Sequence, residues 1–71
     1  MEDDTIEQLE AMTKAMLNQI KAAKASKDLA RAAAKRGQAS AYKSADREFV
    51  TQCKVINRMA LGIQNFTHCN L

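Results

Sequence analysis

A chain of 71 residues, 46% hydrophobic and 27% charged, supports one domain at most and excludes a barrel, a doubly wound nucleotide-binding fold and a two-domain enzyme. Proline is absent, glycine occurs twice and aromatics make up 4%, so a hairpin-rich all-β fold is close to excluded and the alanine-rich remainder predicts a few long helices. The net charge of +3 is unevenly spread: residues 1–20 hold five acids against Lys14, residues 21–36 hold six bases against Asp28, and residues 37–71 hold four bases against Asp46 and Glu48.

The first predicted element is a helix over about residues 5–36. Asp4 or Thr5 can cap it, and Thr5 with Gln8 has capping-box spacing. Glu7 and Glu10 fall in early turns, where the helix dipole favours negative charge. Ile6, Leu9, Met12, Met16 and Ile20, with Leu17 beside them, make one apolar face. The stripe weakens after Ala23, where Lys24, Lys27, Arg31 and Lys35 stand among alanines. Alanine, lysine and arginine all favour the helix, and bases suit its C-terminal end. A break at Ser26, with Asp28 in the first turn of a new helix, is the alternative.

Gly37 ends the first helix, and residues 37–40 form the predicted turn. The second predicted helix covers about residues 41–66, capped by Ser40 or Ser44. Its seam is Tyr42, Ala45, Phe49, Gln52, Ile56, Met59, Ile63 and Phe66, in alternating steps of three and four. Cys53 and Ala60 widen it. Fraying is expected near Asn65, with residues 67–71 as a short tail. A short connection makes the helices antiparallel. One hairpin cannot enclose both seams, and a chain this small needs disulfides, metal or a partner chain. Two cysteines make no disulfide framework. The expected fold is therefore all-α, an antiparallel helical hairpin spanning residues 1–71 that pairs into a homodimeric four-helix bundle.

On a helical wheel at about 100° per residue, Lys43, Arg47, Thr51, Lys54 and Arg58 fall in one sector opposite the second seam, and Asn65 extends it. Asp46 and Glu48 lie off that sector. The result is a basic ladder about 22 Å long, which Lys24, Lys27 and Arg31 of the first helix can flank. Charged residues opposite an apolar seam are usually just a solvated face. This ladder, however, has no compensating acid. A regular row of cations suits a polyanion, with released counterions as the gain. Duplex RNA is read largely by shape and by phosphate and 2′-hydroxyl contacts, and Thr51 and Asn65 can bond such hydroxyls. Single-strand binding needs exposed aromatics, whereas Tyr42, Phe49 and Phe66 are on or near the seam.

The segment Cys53-Lys54-Val55-Ile56-Asn57-Arg58-Met59 resembles the second helix of the small, dimeric RNA-silencing suppressors of nodaviruses, in which a cysteine, lysines and an Arg-Met pair share one region. The resemblance covers about a dozen residues. It implies duplex-RNA binding along a paired-helix face, with RNA-facing roles for Cys53, Lys54 and Arg58. On the wheel, though, Cys53 sits with the seam.

Other signals point elsewhere or nowhere. His68 beside Cys69 is a ligand-like pair, but a zinc site needs about four ligands and only Cys53 remains to help. One histidine in a tail assembles no catalytic constellation, so no enzyme and no cofactor are expected. Asn65-Phe66-Thr67 fits a glycosylation pattern, read as chance without a secretory route. An acidic start with no apolar run after it implies no signal peptide, no membrane partner and a cytoplasmic location. The sequence-based expectation is thus a homodimer that binds double-stranded RNA through Lys24, Lys43, Arg47, Thr51, Lys54 and Arg58. A helical protein-interaction module, a small-ligand sponge and an amphipathic helix on anionic membrane are the alternatives.

Overall fold

The structure, a computed structural model, describes residues 4–71. They form two helices of 32 residues, α1 (Asp4–Lys35) and α2 (Ala39–Asn70), packed against each other as a hairpin. The Cα trace extends over 58 × 15 × 11 Å with a radius of gyration of 16.3 Å, against about 11 Å for a compact chain of this length.

The connection is a Schellman turn. The N–H of Gln38 donates to the Ala33 carbonyl at 3.0 Å and that of Gly37 to Ala34 at 3.2 Å. Gly37 holds φ +70°, a conformation that costs a side-chain-bearing residue strain. Gln38 then precedes α2 directly and accepts the Tyr42 N–H at 2.9 Å, without a side-chain cap. Neither Ser40 nor Ser44 caps α2, because the helix is already under way at Ala39. Thr5 and Asp4 are likewise helical, so the expected caps and capping box of α1 are not formed by them. Glu2 and Asp3 of the acidic start lie outside the described residues.

The seam of α2 is the expected one. Ala45, Phe49, Gln52, Ile56, Met59, Ile63 and Phe66 are half-buried against α1, while Tyr42 at the turn end stays 41% exposed. The seam of α1 differs from expectation. Leu9, Met12, Met16 and Gln19 are half-buried, and the same alternation of steps continues through Ala23, Ser26, Ala30 and Ala33, which are buried. The stripe does not weaken after Ala23; it changes to small residues, which let the helices approach closely. Ile6, Leu17 and Ile20, expected on this face, are 53%, 48% and 41% exposed. They lie one stripe further round the helix, on a flank that α2 does not cover. Ser26 is 5% exposed inside a continuous helix, so α1 is not broken there.

At the other end α2 runs past Asn65 to Asn70. Thr67 Oγ1 donates to the Gln64 carbonyl at 2.9 Å and Asn70 Nδ2 to Phe66 at 2.8 Å. The Leu71 N–H donates to the Thr67 carbonyl at 2.8 Å and closes the last turn, so the segment expected to be a tail is helix. Cys53 and Ala60, expected to widen the seam, are exposed beside it.

Candidate nucleic-acid interface

Because the α2 seam turns toward α1, the opposite side of α2 faces outward. Lys43, Arg47, Thr51, Lys54, Arg58 and Asn65 are all exposed there. Helical rise spaces Lys43 and Arg58 about 22 Å apart along the axis. Among the described residues the only ion pair joins Lys14 to Glu10 at 3.7 Å, within α1. Among the described residues no carboxylate forms an ion pair with a ladder cation. Asp46 is half-buried on one side of the helix, and Glu48 lines a pocket near the turn with Leu29, Ala33 and Arg36. Thr51 Oγ1 donates to the Arg47 carbonyl at 3.1 Å, so its proton is committed to the helix while the oxygen can still accept a bond from a hydroxyl.

Lys24 is placed elsewhere. It lies on α1, exposed, and with Lys27, Arg31, Ile20, Phe49 and Cys53 lines a groove of about 340 Å³ along one flank of the hairpin. That basic cluster contains Asp28, and none of the α2 ladder residues lines the groove. Cys53 opens onto this groove, not onto the outer face, so only Lys54 and Arg58 of the residues singled out by the nodavirus resemblance stand on the ladder. A contact that the sequence reading missed also sits here: Lys27 Nζ lies 4.9 Å from the centroid of the Phe49 ring. The antiparallel register that brings these two together follows from matching the two seams, which required the alanine half of α1 to be recognised as seam.

Cys53 and Cys69 are both free thiols, and among the described residues no cluster of three His, Cys, Asp or Glu side chains could hold a metal ion. Nor is any described helix long and apolar enough to cross a membrane. Comparison of the chain with protein-family models, with curated proteins and with solved structures finds no match to any of them.

Proposed function

We propose that the chain is a homodimeric binder of double-stranded RNA, acting without sequence preference in the cytoplasm. Arg47, Lys54 and Arg58 make the central phosphate contacts, Lys43 extends them toward the turn, and Thr51 accepts from a 2′-hydroxyl. One observation supports this most directly: a row of exposed cations about 22 Å long on a straight helix, with no carboxylate paired to it among the described residues. The resemblance of residues 53–59 to the nodavirus suppressors supports it independently, and adds the consequence that bound duplex is shielded from silencing enzymes.

Dimerisation is supported by surface area. The hairpin exposes 5576 Å², whereas a folded monomer of this mass exposes roughly 4,400 Å². The excess, roughly 1,200 Å², exceeds the roughly 800 Å² that each partner loses in a standard interface. No large side chain is fully buried among the described residues, so the hairpin alone leaves its core half made. A four-helix bundle of two hairpins completes it.

A salt-titrated gel shift with duplex RNA, duplex DNA and single strands tests the reading. The expected result is duplex-RNA binding that weakens steeply with salt. Arg58→Glu should lower affinity for every duplex sequence while leaving circular dichroism unchanged; unaltered affinity removes the assignment. The exposed Ile6, Leu17 and Ile20 favour a second reading, a protein-interaction module. Capture of one stoichiometric partner, insensitive to salt and nuclease, would replace the first reading with it.

A further inference from the structure

The uncovered flank of α1 has its own pattern. Ile6, Glu10, Thr13, Leu17, Ile20, Lys24, Lys27, Arg31 and Ala34 follow one another in steps of four and three, the spacing of a second helix-packing seam. It runs beside the seam that α2 covers, and all but half-buried Lys27 are exposed. The stripe is ordered by chemistry: an acid lies in its first half, large apolar side chains in its middle and three cations in its second half.

Such a stripe is complementary to itself when reversed. The geometry points to a second copy of this chain as its occupant, with α1 of one protomer antiparallel to α1 of the other about a two-fold axis between Leu17 and Ile20. Leu17 then meets Ile20 of the other copy, Thr13 meets Lys24, Glu10 meets Lys27, and each relation occurs twice by symmetry. Two hairpins can also stack face to face with α1 over α2; that arrangement brings Lys27 level with Glu48 but sets Glu10 against neutral Asn65 and gives Leu17 and Ile20 no symmetric apolar partner. The α1–α1 arrangement sets Glu10 against Lys27 twice and covers the exposed apolar centre, with Lys24 facing Thr13 and Arg31 facing Ile6. This inference rests on the homodimer proposed above and names its interface. It also reassigns Lys24: the side chain faces the partner's α1, and RNA contacts fall to α2. The same two-fold brings both α2 helices to one side of the bundle, where their ladders run antiparallel and form a single basic platform.

The test is the oligomeric state, measured by sedimentation equilibrium on the full chain without RNA. Glu10→Lys alone and Lys27→Glu alone each place like charges face to face twice, and each should weaken the dimer roughly tenfold or more. A one-to-one mixture of the two variants restores both attractions and should dimerise close to wild-type affinity. Leu17→Asp, at a side chain 48% exposed in the hairpin, should give helical monomers and serves as a readout that does not touch Lys27. Ala25→Glu, on the opposite flank, should leave the dimer intact. The interface is overturned if the single variants dimerise like wild type, if the mixture behaves as its separate components, or if Ala25→Glu is the variant that dissociates. A wild-type chain monomeric at every concentration also overturns it, while RNA binding is decided separately by the gel shift.

Discussion

Lys27 of α1 stands over the ring of Phe49 of α2, its Nζ 4.9 Å from the centroid, and Met12 and Gly62 meet near the open end of the hairpin. Together these contacts set one antiparallel register, in which the small residues of α1 oppose Phe49, Gln52 and Ala45. A cation over an aromatic face is worth about 0.5–1 kcal/mol at a partly exposed site. A double-mutant cycle with Lys27→Met and Phe49→Leu should therefore return a coupling of about that size. Urea unfolding at fixed protein concentration measures it, since dimerisation makes stability concentration-dependent. A coupling of zero would show that the ammonium and ring do not interact in solution.

Gly62 lies mid-helix, half-buried beside Met12. A Cβ built there would lie 4.0 Å from Met12 Cε, an ordinary van der Waals distance. Glycine in a helix interior costs about 1 kcal/mol relative to alanine. Gly62→Ala should thus stabilise the chain by about that amount, seen as a higher urea midpoint. Destabilisation instead would mean that another helix approaches α2 at this point.

The contrast between the two seams explains what could be read from residues alone. In α2 the seam is built of Phe49, Ile56, Met59, Ile63 and Phe66, large enough to mark the face directly. In α1 the seam passes through Gln19, Ala23, Ser26, Ala30 and Ala33, which carry little hydrophobic signal, while Ile6, Leu17 and Ile20 carry a strong one on the neighbouring stripe. Hydrophobicity ranks residues by what they gain from burial, not by which neighbour buries them. A helix with two packing faces then yields an averaged direction that belongs to neither. The outer ladder of α2 was legible because it lies opposite the unambiguous seam. Lys24 was harder to place for the converse reason: its position depends on where the α1 seam runs.

Gln52 presents a different kind of mismatch. Its Oε1 is buried with no hydrogen-bond partner among the described residues, and the register puts it against Ala23. Leaving a buried acceptor unsatisfied costs about 1–3 kcal/mol. Gln52→Leu removes the acceptor and adds apolar volume of similar size, so it should stabilise the fold by about 1 kcal/mol or more. A polar group in a helix seam can also fix pairing and register at the expense of stability. The same variant should accordingly be checked by sedimentation, where larger assemblies would reveal that Gln52 limits the choice of partner. A fall in stability would show that the oxygen finds a partner in solution.

The ladder makes a quantitative demand on the RNA reading. Each phosphate neutralised contributes close to 0.9 to the slope of log affinity against log salt concentration for a B-form duplex, and a similar increment is expected for RNA. Lys54→Ala and Arg47→Ala, both on exposed side chains, should each reduce that slope by roughly one per protomer, with little change in folding. Thr51→Val removes the acceptor toward a 2′-hydroxyl and should narrow the difference between duplex RNA and duplex DNA without altering the slope. Cys53→Ser probes the flank groove that the cysteine lines with Lys24 and Phe49, away from the ladder, and should leave both slope and affinity unchanged. Slopes that stay constant across Lys54→Ala and Arg47→Ala would mean that phosphates do not lie along α2. Loss of binding in Cys53→Ser would move the contact surface to the groove, where it competes with the α1 pairing.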